Sequence, residues 1–114
     1  MREIKFRVYD KEQGGMCEVK YLKFPIKPEM EEVLPFMQYI GLKDKNGKEI
    51  YERDIAITDV GHIFIVQWDE ENCRFLGFTS ESRSERRIVY IGREPKVEVI
   101  GNIYENADLL EAQS

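Results

Sequence analysis

Turn-forming residues punctuate this chain at intervals of roughly eight to twelve residues, and that spacing constrains the fold more than any other feature. Gly14-Gly15, the prolines at Pro25, Pro28 and Pro35, Asp44-Lys45-Asn46-Gly47-Lys48, Asp59-Val60-Gly61 and Asp69-Glu70-Glu71-Asn72 leave segments between them too short for ordinary helices but long enough for strands. The residue types inside those segments agree. Ile and Val number 20 against 9 for Leu and Ala, and 13 residues are aromatic. Such side chains lose rotamer freedom against a helical turn but pack well on a pleated surface. With 114 residues, 42% of them hydrophobic and 34% charged, the chain suffices for one domain with a core and a soluble coat.

Strands are expected over 3–9, where Ile4, Phe6 and Val8 alternate with Lys5, Arg7 and Tyr9, and over 16–24, folding back on the first across Gly14-Gly15. Pro25, Pro28 and Pro35 mark a connector, with at most a turn or two of helix over 29–34. Beyond it come strands over 36–40, around Ile55 and Ile57, over 62–68 and 73–79, then an exposed polar loop over 80–86 and strands over 87–91 and 96–103. The strand over 62–68 should be buried on both faces in its middle, at Ile63-Phe64-Ile65-Val66. Asn46-Gly47 is the strongest turn signal, since both residues accept the positive φ of a type I′ hairpin turn. Asn106 is placed to cap a short helix over 107–111. The expected architecture is mainly β and a single domain, 1–114: an N-terminal β-hairpin unit over about 1–35, a small β-barrel-like unit over about 36–104, and a helical tail over 105–114.

Three phrases carry a family resemblance when read together. They are Met1-Arg-Glu-Ile-Lys-Phe-Arg-Val-Tyr-Asp10, Met37-Gln-Tyr-Ile-Gly-Leu-Lys-Asp-Lys-Asn-Gly-Lys-Glu-Ile-Tyr-Glu52 and Val99-Ile-Gly-Asn-Ile-Tyr-Glu-Asn106. In this order they resemble the YopX-like family of phage and prophage proteins. The resemblance implies a mostly β protein acting in the cytoplasm of a bacterial host, and it brings no reaction, cofactor or active-site set. One position departs from the pattern: the family usually continues Tyr-Glu-Gly-Asp-Ile, and here Arg53 replaces the glycine that would admit positive φ in a tight turn.

His62 is the sole histidine, and with Cys73 and Asp69 or Asp59 it could complete a Cys/His/Asp set. No nucleophile motif accompanies it, and a surface histidine at a strand edge is the simpler reading. Asp69-Glu70-Glu71 is read as a solvated acidic turn, because calcium-loop spacing is missing. Cys17 and Cys73, 56 positions apart and with no C-x-x-C spacing, are expected to be free thiols in a reducing compartment. No catalytic residue, metal or cofactor is therefore expected, and the protein is read as a non-enzyme.

The apolar run Ile63-Phe64-Ile65-Val66 is far short of the roughly 20 residues that span a bilayer, and Met1-Arg2-Glu3 opens no signal-peptide pattern, so a cytoplasmic protein without membrane association is expected. The net charge of −5 opposes binding to polyanionic nucleic acid. Two basic clusters nevertheless stand out as contacts for nucleic acid or another partner: Lys43, Lys45 and Lys48 around the Asn46-Gly47 turn, and Arg83, Arg86 and Arg87 before a strand. If they meet on one face beside Tyr39, Tyr51 or Trp68, they combine phosphate pairing with stacking surface. The leading reading is an accessory protein that binds host or phage macromolecules. A nucleic-acid-binding small barrel and a structural homo-oligomer, self-associating through its sheet edges or its Leu109-Leu110 tail, are the alternatives.

Overall fold

The computed structural model describes residues 4–10, 14–19, 36–79, 88–92 and 96–111. The helical turn expected over 29–34, the second strand beyond Val19 and the polar loop over 80–86 lie outside these residues.

Nine strands and one short helix make up the described chain: β1 (Phe6–Asp10), β2 (Gly15–Val19), β3 (Phe36–Lys43), β4 (Glu49–Tyr51), β5 (Asp54–Thr58), β6 (Ile63–Asp69), β7 (Arg74–Thr79), β8 (Ile88–Val89), β9 (Val97–Asn102) and α1 (Asp108–Glu111). The fold is mainly β, as the turn spacing predicts. The strands form two antiparallel sheets, ordered β2-β1-β3-β4 and β8-β7-β6-β5-β9. Pairing of β1 with β3 (Arg7 opposite Met37) carries the N-terminal hairpin's sheet across residue 36 into the β3–β4 hairpin.

The second sheet curls around its inner face. Alternation places Ala56, Phe64, Val66, Val97 and Val99 inward, and Ile40 and Ile50 from β3 and β4 enter the same core with Val89 and Ile91. The β3–β4 hairpin thus closes the open side of the curl. Within β6 the burial alternates: Phe64 and Val66 are fully buried, whereas Ile63, Ile65 and Gln67 are half-buried. The expectation of equal burial on both faces is corrected accordingly, because an antiparallel sheet of this kind needs only one covered face. Gly77 belongs to the inner packing. A Cβ there would stand 2.8 Å from Cε2 of Phe64, so the strand glycine makes room for that ring.

The turn at Asn46-Gly47 forms a hairpin, but not by the expected geometry. Gly47 has φ of 82°, while Asn46 is not among the residues with positive φ. Oδ1 of Asp44 accepts the amides of Asn46 and Lys48, each at 2.9 Å, and the Gly47 amide donates to the Asp44 carbonyl at 3.0 Å. A side chain that satisfies two turn amides favours a type I turn followed by one left-handed glycine, and so overrides the local Asn-Gly preference.

The C-terminal phrase is explained by close packing. Oδ1 of Asn102 accepts the amides of Tyr104 and Glu105, and Oδ1 of Asn106 accepts the amide of Asn102. Asn106 lies so close that a Cβ at Gly101 would come within 2.7 Å of Asn106 Cβ. Asn106 therefore points back at β9, and the first turn of α1 is bonded by its backbone carbonyl to Leu109, not by its side chain. Tyr104 stacks on Tyr9 of β1 with ring centroids 5.4 Å apart.

Candidate functional site

Trp68 is the last inward-facing residue of β6, paired across the ladder with Phe75 of β7. Beyond this pair the curled sheet runs out of core, so Trp68 remains 43% exposed, its ring edge-on to Phe75 at 4.9 Å. β3 crosses the same end. Gln38, Ile40 and Leu42 together with Trp68, Cys73, Arg74 and Phe75 enclose an open depression of about 320 Å³. Leu42 also borders a second depression of about 160 Å³, with Lys43, Lys45, Ile91 and Val97 in its wall. A third, of about 200 Å³, lies between Arg74, Phe75, Tyr90 and Gly92. The shared walls make these one trough running from Trp68 past Leu42 to the β3–β4 hairpin.

Among the residues singled out from the sequence, the structure gathers Lys43, Lys45 and Trp68 along this trough. Lys48 is exposed in the same turn, and Lys45 Nζ lies 3.7 Å from Glu98 Oε2. Arg83, Arg86 and Arg87 lie outside the described residues. Tyr39 and Tyr51 are buried at 5% and 7% exposure, their rings 5.6 Å apart, and so offer no stacking surface. The trough residues that sequence reading missed are Leu42, Arg74, Phe75 and Tyr90. The guanidinium of Arg74, at the start of β7, sits 5.2 Å over the ring of Tyr90, which directly follows β8.

The Cys/His/Asp set does not assemble. His62 precedes β6 and Cys73 follows its far end, so seven strand residues, roughly 20 Å, lie between them. Asp69 is committed to the β6–β7 turn, accepting from the Glu71 amide and from Nδ2 of Asn72. Among the described residues no group of three His, Cys, Asp or Glu side chains is placed to hold a metal ion.

The strongest electrostatics belong to a brace between the sheets. Arg7 of β1 pairs with Asp54 at the start of β5, with its guanidinium 4.6 Å over the Tyr51 ring, and Asp54 Oδ2 accepts the Tyr51 amide at 2.8 Å. Asp54 is 1% exposed. Burial pushes its carboxyl upward, and the Arg7 charge opposes that rise without cancelling it. Beside it Lys5 pairs with Glu49 at 2.6 Å. Burial, then the Glu49 charge, push the Tyr51 hydroxyl upward. Asp44 behaves oppositely. Burial pushes its carboxyl up, but the amides of Val99, Lys48 and Asn46 and the charge of Lys48 outweigh that and hold it below the ordinary value.

The turn that enters β5 bears on the family. Arg53 holds φ of 69°, and its backbone donates to the Val66 carbonyl and accepts from the Ile103 amide. The glycine-type turn is therefore kept with an arginine in it. A family model described as YopX protein matches residues 26–111. The chain belongs to the YopX protein family. The fold is similar to the crystal structure of protein EF1440 from Enterococcus faecalis, with a TM-score of 0.66 and 24% identity over 96% of this chain and 99% of that one. No curated protein matches the chain. Among the described residues of this YopX family member, no helix is long and apolar enough to cross a membrane.

Proposed function

We propose that this YopX family member is a non-catalytic accessory protein of a phage or prophage, which works in the host cytoplasm by binding host or phage macromolecules. The observation that carries this reading is the trough itself. Trp68, Leu42 and Tyr90 stand 43%, 40% and 40% exposed beside Arg74. Trp, Tyr and Arg are the side chains in which interface energy concentrates, and three large apolar groups left in water along one trough favour a partner that covers them.

The test is photo-crosslinking in prophage-induced host cells, with a benzophenone amino acid placed at Leu42. The same probe at Val60, 73% exposed in the β5–β6 turn, serves as control. The proposal expects discrete adducts from position 42 and none from position 60. Equal or no adducts from both would overturn it, and nuclease sensitivity of the adducts separates nucleic-acid partners from proteins.

A further inference from the structure

Resting on that reading, the identity of the partner can be narrowed by the chemistry of the trough. We infer that it receives a short protein segment in which carboxylate side chains flank large apolar ones.

The apolar half of the argument is the floor and rim. Ile40, Phe75 and Ile91 line the depressions from below, and Leu42 and Trp68 stand half out of them. The 320 Å³ depression between Leu42 and Trp68 has room for a large apolar side chain.

The polar half is charge complementarity. Arg74 and Lys43 are exposed on the walls, and neither forms an ion pair with a carboxylate among the described residues. Lys45 meets Glu98 only at 3.7 Å with both side chains well exposed, a contact too weak to withhold the ammonium from another carboxylate. Arg74 is oriented by its stacking on Tyr90, which leaves its guanidinium N–H groups free to take a carboxylate in bidentate fashion.

The same surface suits a nucleic-acid strand less well. Arg74 covers one face of Tyr90, Trp68 is engaged by Phe75, and Glu70 and Glu52 line a further depression that Trp68 borders. A whole-chain charge of −5 repels a polyanion at every residue of its length, whereas a peptide has only one or two carboxylates to pair, with Arg74, Lys43 or Lys45.

Trp68 is the chain's single tryptophan, so its emission reports directly on the trough. A random peptide library is panned against the full chain, and the selected sequences are synthesised without tryptophan and titrated while Trp68 emission is followed. The inference expects selected peptides that combine Asp or Glu with Leu or Phe and shift the emission to the blue on saturable binding. Their affinity should fall by about tenfold or more when Lys43→Glu and Arg74→Glu are combined in a chain whose urea midpoint is unchanged. Selected peptides without acidic residues, an unmoved Trp68 emission, or equal affinity for the charge-reversed chain would each overturn it. So would saturable quenching by a thymidine oligonucleotide without any such peptide. Adducts from position 42 in cells alongside any of these results would leave the binding role standing and remove only the peptide assignment.

Discussion

Replacing Asp44 with alanine removes one carboxylate and three hydrogen bonds that reach two separate stretches of chain. Oδ1 holds the amides of Asn46 and Lys48 in the turn, and Oδ2 accepts the Val99 amide of β9 at 3.0 Å, across 55 positions of sequence. The turn amides sit in an exposed loop and water can replace the carboxylate, so each loss costs about 1 kcal/mol. The Val99 bond is buried, and an orphaned amide there costs about 2–3 kcal/mol. The sum, about 4–5 kcal/mol, is a large share of the stability typical of a single domain, and at a urea slope of about 2 kcal/mol/M it lowers the midpoint by about 2 M. Asp44→Asn separates the parts. Its oxygen can keep the turn amides, but its NH₂ then meets the Val99 N–H, so about 2–3 kcal/mol is lost. Acid acts on the same group. Because its folded pKa lies below the unfolded 3.8, the stability it supplies is present above that value and is lost as pH falls through the folded one. The gap between the native chain and Asp44→Asn therefore narrows below about pH 4. Urea titrations at pH 7 and at pH 3 measure all of this. An Asp44→Ala chain within about 1 kcal/mol of the native one at pH 7, or an Asp44→Asn chain of native stability, would refute the reasoning.

Three further substitutions probe the remaining joints. Gly101→Ala places a methyl group against Asn106 and is expected to cost about 1–3 kcal/mol, seen as a melting temperature lower by at least about 5 °C; an unchanged melt would mean that Asn106 turns aside freely. Arg53→Gly relieves a left-handed arginine and should gain about 0.5–1 kcal/mol in urea, whereas a loss would show that the arginine side chain outweighs its backbone strain. Arg7→Met leaves the buried Asp54 carboxylate uncompensated, at about 3–5 kcal/mol near pH 7. Burial already raises the Asp54 carboxyl, so the stability tied to its bound proton is present below the unfolded 3.8 and lost as pH rises through the folded value. Without Arg7 that value climbs, so the variant should lose least in acid; a deficit that does not depend on pH would count against the pairing.

What could be read from the sequence divides by range. The alternation in β1, the glycine break before β2 and the turn before β6 are local signals, and the strands and mainly β architecture followed from them. The β3–β4 turn was placed correctly and its backbone was not, because the deciding group is the side chain of Asp44, and an aspartate in a loop looks the same whether or not it also grips β9. Arg7 and Asp54 lie 47 positions apart, and no periodicity connects them. The trough was half legible. Trp68 stood out because it is unique, and the hairpin lysines because they cluster. Arg74 and Tyr90 carry no such mark, since only the pairing of β7 with β8 brings them together. Tyr39 and Tyr51 read as stacking surface beside the basic clusters, and the structure buries both.

The clasp between Asp44 and β9 also bears on the order in which the protein is made and folded. During synthesis the aspartate emerges well before Val99, and closing a loop of that length costs roughly 3–4 kcal/mol of chain entropy before the contact returns anything. Contact order predicts that the local hairpins β1–β2, β3–β4, β5–β6 and β6–β7 close first and that β9 docks last, forming the bond from the Lys45 amide to the Val97 carbonyl, 2.9 Å in the native fold, in the same movement. A bond that forms after the rate-limiting step governs departure from the native state more than arrival at it. Loss of the Asp44 carboxylate should accordingly appear as faster unfolding with little change in the refolding rate, and the lifetime of the folded protein would be set at its last-made strand.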